Sequence, residues 1–233
     1  MNKIVIDTKE FNLIIDKNEN YSLEIINTQV LNIKVLSNIT SKVTVLIPET
    51  NININLELEA NSNLLINQLS IDNNLNLDIN LLENSNLQYI ISFLSSNDSL
   101  NNITINHKES NSHSKVVTNA VNLSNHKLYL SMNGIIPKNS LNCFLEENSK
   151  IINLNNGDSK IIPNLIIDNK EVVANHSAFI GNFQEDEVNY LKSRGLNQET
   201  INDLLLKATL LNGMKLEYDK DKFIYFIRNY KKS

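Results

Sequence analysis

The sequence predicts a mainly β protein: a right-handed parallel β-helix (a strand solenoid) over residues 1–182, followed by a short C-terminal α-helical segment over residues 183–233. Three observations lead there. Apolar and polar residues alternate with period two, almost without relief, from Lys3 to about Ala174, which is the mark of strands with one buried face. Glycine is scarce, with five in 233 residues and the first at Gly134. That argues against the two-residue Asn-Gly hairpins of antiparallel meanders. The texture then changes after Gly181, where an acidic run opens a stretch of helical periodicity.

The strand body justifies itself run by run. Ile52, Ile54, Leu56 and Leu58 alternate with Asn51, Asn53, Asn55, Glu57 and Glu59, and Leu75, Leu77 and Ile79 alternate with Asn76, Asp78 and Asn80. Similar runs lie near Ile4–Ile6, Leu13–Ile15, Leu23–Ile25, Leu31–Val35, Val43–Leu46, Leu64–Ile71 and Leu87–Phe93, each bounded by Asn, Ser, Asp or Thr. A spacing of roughly ten residues suits strand-plus-turn units. A solenoid turns its corners with Asn and Ser, and stacked Asn side chains hydrogen-bond from coil to coil. An ordinary β-sandwich fits the same alternation; the lack of glycine tips the reading toward the solenoid.

In the tail, Glu185, Asp186 and Glu187 are placed where a helix dipole favours negative charge, and Gly195 supplies a left-handed stop. Asn197 suits the N-cap of a second helix, in which Ile201, Leu204, Leu205 and Ala208 form an i, i+3, i+4, i+7 stripe. A third helix is expected over about Asp219–Tyr230, with Phe223, Phe226, Ile227 and Tyr230 on one face.

Composition narrows the function. A net charge of −5 disfavours nucleic-acid binding, which needs a basic face. No stretch approaches the ~20 apolar residues of a membrane span, and the N-terminal MNKIVIDTKEFNLIID has no apolar secretory core. The lone Cys143 fits a reducing, cytoplasmic compartment and rules out an all-thiolate metal site within one chain. There is no glycine-rich phosphate loop, no G-x-S-x-G elbow and no C-x-x-C. Of the four histidines, His107 and His113 read as exposed loop residues rather than a metal pair. His126 reads as a turn residue, and His176 follows Val172 and Val173 where the strands give way to the tail.

The most informative stretch runs from Pro163 to Gly195. It holds Pro163, Leu165 and Ile167, then Val172, His176, Ala178 and Gly181, then Glu185 and Asp186. Tyr190, Leu191, Ser193, Arg194 and Gly195 follow, with Leu204 and Leu205 beyond. Order, spacing and residue types resemble the C-terminal core of the SufB/SufD family, the non-ATPase subunits of the SUF iron–sulfur cluster assembly machinery. Upstream, His107, His113, Asn133 and Gly134 fall in plausible places. The B-type subunit commonly has a cysteine after the helix tyrosine, where this chain has Leu191. Its scaffold cysteine would fall near Ser140, so the chain resembles the D-type. Family members usually carry an additional N-terminal helical region, whereas this chain begins directly in β structure.

The resemblance implies a fold and a set of roles. His176 would face a SufB-type partner, or a second copy of this chain, and serve as a ligand for a transient iron–sulfur cluster at that interface. None would be tightly bound by the isolated chain. The helical tail, through Glu185, Asp186, Tyr190, Arg194, Leu204 and Leu205, would dock a SufC-type ATPase. The chain would then be a non-catalytic scaffold. The competing readings are a homodimeric cluster carrier and a β-helix enzyme acting on polysaccharide; the second lacks a repeating acidic cluster and a secretory signal.

Overall fold

The structure, a computed structural model, describes residues 1–217 and 219–230, without the side chain of Tyr230. Its β body is a run of fifteen strands: β1 (Asn2–Ile6), β2 (Glu10–Ile15), β3 (Asn20–Ile25), β4 (Val30–Val35), β5 (Thr40–Pro48), β6 (Ile52–Leu58), β7 (Asn63–Ile71), β8 (Leu75–Leu81), β9 (Asn86–Ser95), β10 (Ser99–His107), β11 (His113–Asn122), β12 (Lys127–Ile136), β13 (Phe144–Asn153), β14 (Asp158–Ile167) and β15 (Val173–Gly181). Odd strands form one eight-stranded sheet and even strands a seven-stranded sheet, each in chain order. Every pairing is parallel, and strands two apart in sequence are neighbours. The chain is therefore a flattened solenoid, with one odd and one even strand per coil, as the alternation predicts. The coils lengthen along the chain. Asn2 pairs with Tyr21, 19 residues on; Asn63 pairs with Asn86, 23 on; His113 pairs with Phe144, 31 on.

Asparagine replaces glycine at the corners. Asn38, Asn61, Asn84, Asn111 and Asn142 occupy one column and all take positive φ, between 53° and 65°, a region that Asn tolerates better than other non-glycine residues. Their side-chain amides bond up the column, Asn61 to Asn38 at 3.3 Å, Asn84 to Asn61 at 3.2 Å and Asn142 to Asn111 at 3.3 Å. Further ladders run along even strands. Asn32 and Asn55 each donate to the preceding Asn at 2.7 Å, and Asn76 and Asn102 do so at 3.0 and 3.1 Å.

Two cores result. The first fills the lumen with the inward Ile, Leu and Val of both sheets, among them Ile33, Leu56, Ile79, Ile105, Leu130 and Leu145. The second lies on the outer face of the odd sheet, where Leu46, Leu69, Leu94, Val121 and Ile152 are covered by helices. Of the three helices, α1 (Glu185–Ser193), α2 (Gln198–Leu210) and α3 (Lys220–Tyr230), the cover comes from Leu206 and Leu210 of α2 and from Phe223 and Ile227 of α3. Asn197 caps α2 by accepting from the Thr200 amide, and Gly195, at φ +83°, follows α1.

The tail runs back along the solenoid, and its polar contacts mark the route. Asn119 on β11 donates to the Asn212 carbonyl at 3.2 Å, and Ser92 on β9 donates to the Leu210 carbonyl. Asn67 on β7 exchanges two bonds with the Lys215 backbone, both 3.3 Å. Ser22 on β3 donates to Asp219 at 3.0 Å, and Lys222 pairs with Glu24.

The α2 stripe differs from expectation. Ile201, Leu206 and Leu210 are buried, whereas Leu204 and Ala208 are exposed. Three consecutive leucines, Leu204–Leu206, leave the helical phase undecided in sequence; the flat outer sheet face selects the phase that also seats Leu210. On α3, Phe223 and Ile227 are buried and Phe226 packs beside them, as predicted; Tyr230's place in that stripe lies outside the described side chains.

Candidate functional site

A strand in a solenoid needs a neighbour on each side, and the last coil lacks one. β14 and β15 are the terminal strands of their sheets. Ile161, Leu165, Ile167, Val172 and Ala174 pack on the lumen core from within or beside this coil and are only partly buried. Ile162, Ile166, Val173, Phe179 and Ile180 around them are exposed. Pro163, which has no amide to donate, is tolerated in β14 because that strand is an edge. Two long edge strands over an uncovered apolar lumen form a surface suited to pairing with another chain.

His176 lies on β15 in this coil and is exposed. It shares a strand face with Ala174, which packs on the lumen core, and its register partner on β13 is Glu147. Among the described residues its ring has no hydrogen bond or ion pair. One coil inward, Glu147 is only 1% exposed, yet neither carboxylate oxygen has a hydrogen-bond partner. Burial pushes its acid up to about 7. Gly134, on β12 of the opposite sheet, provides the space: a Cβ there would stand 3.0 Å from Glu147 Oε1 and 2.2 Å from Leu145 Cδ2.

The other histidines are dispersed. His107 ends β10 and is fully buried, which corrects its reading as an exposed loop residue. Its ring nitrogens meet Ser112 Oγ at 2.7 Å and Ser114 Oγ at 2.8 Å, and desolvation lowers its pKa to about 4. The sequence hid this because the NHKESNSH segment reads as polar throughout, while the corner and the start of β11 turn Ser112 and Ser114 inward onto the ring. His113 opens β11 and is exposed, and His126 faces Asp98 at 3.3 Å. Cys143 is buried at the corner before β13, 3.3 Å from Ser112 Oγ. No group of three or more His, Cys, Asp or Glu able to hold a metal ion occurs among the described residues.

Three residues, Asn182 to Gln184, separate β15 from α1. α1 buries none of its side chains: Glu185 and Asp186 are exposed in its first turn, and Tyr190 is exposed with the Arg194 guanidinium stacked 5.3 Å from its ring centre. On α2, Leu204 is exposed and Leu205 half-buried. Sequence reasoning missed Glu147. The signal was present: in FLEENSKII the inward positions read Leu145, Glu147, Ser149 and Ile151, a carboxylate inside a core stripe.

None of the described helices is long and apolar enough to cross a membrane. Among known proteins, the family model for the SUF system FeS cluster assembly, SufBD core domain, matches residues 83–209, just over half of the chain. No curated protein matches the sequence.

Proposed function

The chain belongs to the SufBD core-domain family of the SUF iron–sulfur cluster assembly system, and from that premise we propose that it is a cytoplasmic, SufD-like scaffold subunit without catalysis of its own. The observation that carries this reading is the uncovered end of the solenoid, with the exposed, unpartnered imidazole of His176 on its last strand. A SufB-type paralogue, or a second copy of this chain, seats against β14 and β15 and covers the apolar lumen. The cluster is cargo: His176 contributes one nitrogen, and the partner contributes the sulfur ligands that one buried cysteine does not supply. Neutral imidazole is a good iron ligand, and a cluster divided between two chains is released when they part.

A SufC-type ATPase docks on the tail, through Glu185, Asp186, Tyr190, Arg194, Leu204 and Leu205. Support comes from the exposure of the first four and of Leu204, and from the bonds that tie the tail to four odd strands. Nucleotide-driven closure of the ATPase then moves the body as a unit. The test is anaerobic reconstitution with Fe2+ and sulfide of the complex formed with the B-type partner and the ATPase. His176→Ala is expected to lower the cluster content while the complex still assembles. A complex that falls apart, or one that keeps its full cluster content, rejects the ligand role.

A further inference from the structure

A buried carboxylate with no partner is an expensive feature. Leaving a charged or polar group unpaired in a core costs several kcal/mol, and a hydrophobic residue of similar size would fill the same space. Glu147 is such a group: 1% exposed, with neither oxygen bonded. It sits on the lumen face between Leu145 and Ser149, and a glycine in the facing sheet leaves room for it. Its in-register neighbour one coil outward is His176. Adjacent strands in a sheet lie about 4.8 Å apart, so a carboxylate and an imidazole on the same face of paired strands are within hydrogen-bonding reach. The raised acid of Glu147 has the same origin as its lack of partners, namely burial.

Resting on the reading above, we propose that Glu147 is a positioning residue for His176: its carboxylate accepts the ring N–H directed into the lumen and so turns the other ring nitrogen toward the open end, where the partner and its iron arrive. The geometry favours this over direct ligation. Glu147 lies beneath the last coil, closed off from solvent, whereas His176 lies on it. Histidine ligands commonly donate their second nitrogen to a carboxylate, which fixes the tautomer and raises ligand basicity. The carboxylate that is unpartnered in the free chain is then satisfied in the working state.

The test compares wild type, Glu147→Leu, Glu147→Gln, His176→Ala and the Glu147→Leu/His176→Ala double variant in the reconstituted complex, reading iron affinity and cluster content. Loss of such an orienting partner typically lowers metal affinity 10- to 100-fold, and that is the expected effect of Glu147→Leu. Glu147→Gln, which keeps an acceptor oxygen in place, restores part of it. In the His176→Ala background Glu147→Leu is expected to have no further effect. Thermal unfolding excludes a merely structural role, because Glu147→Leu should be at least as stable as wild type. Wild-type iron affinity in Glu147→Leu, or an equal loss in both backgrounds, overturns the proposal. Should His176→Ala keep its full cluster content, the ligand role itself has failed. The pairing is then decided in the complex with the B-type partner by imidazole 15N shifts above the ordinary histidine range. A single His176 tautomer that becomes a mixture in Glu147→Leu upholds it, and a mixture in both refutes it.

Discussion

Leu204 and Leu206 are two residues apart on α2 and have opposite roles. Leu206 is fully buried in the outer-sheet core with Leu94, Val121 and Phe223, while Leu204 remains 43% exposed. Truncating Leu206 removes its transfer free energy and leaves a cavity between helix and sheet. Leu206→Ala should therefore cost about 2–5 kcal/mol. Leu204→Ala removes side-chain surface that is already largely in water and should fall within about 0.5 kcal/mol of wild type. Urea unfolding midpoints of the two variants measure the difference directly. Leu204→Asp adds the functional half of the test: stability near wild type, with capture of the SufC-type ATPase lost. A costly Leu204→Ala beside a near-neutral Leu206→Ala would mean that α2 is seated on the phase read from its sequence, and the packing described above would be wrong. Undiminished ATPase capture by Leu204→Asp would remove that leucine from the docking surface.

Two buried titratable groups should tilt stability in opposite directions. His107 is neutral in the fold down to about pH 4, against 6.5 ordinarily. Between those values the unfolded chain binds the extra proton, so stability falls as pH drops, by about 3 kcal/mol over the whole window. Glu147 stays protonated in the fold up to about pH 7, against 4.5 ordinarily, so here the folded chain binds the extra proton and stability falls as pH rises through that window. The two slopes offset between about pH 4.5 and 6.5. Denaturation midpoints of Glu147→Leu should rise with pH there and those of His107→Gln should fall; parallel profiles for wild type and both variants would refute the assignment. At the corners, Asn84→Ala loses both its tolerance of φ 56° and its bond to Asn61, costing about 1–2 kcal/mol. Asn84→Gly keeps the backbone freedom and should cost less, with the two compared by thermal unfolding.

The solenoid was legible because period-two alternation is a local signal and the scarcity of glycine argued against tight hairpins. The asparagine ladders were legible for the same reason: Asn53, Asn76 and Asn102 recur at near-coil spacing, so the bias in composition had a structural use. What resisted reading was two-sided burial. Val45 faces the lumen and Leu46 the helices, so β5 loses its alternation, and nothing local in the LLL of α2 announces which leucine meets that second face. His107 and Glu147 were obscured for a related reason. Each is a polar residue at an inward position, and inwardness is fixed by register with strands some thirty residues away. His176 stood out through its flanking sequence, while its place on an unpaired edge is a property of the coil count and of no nearby residue.

The route of the tail bears on how the molecule would respond to pulling. Because bonds from the tail to the body are spread from β11 to β3, a pull on the tail would be divided among several strands. Removing the tail would bare Leu46, Leu69, Leu94, Val121 and Ile152 as a greasy strip along the flank of the column, as lifting a keel bares its hull.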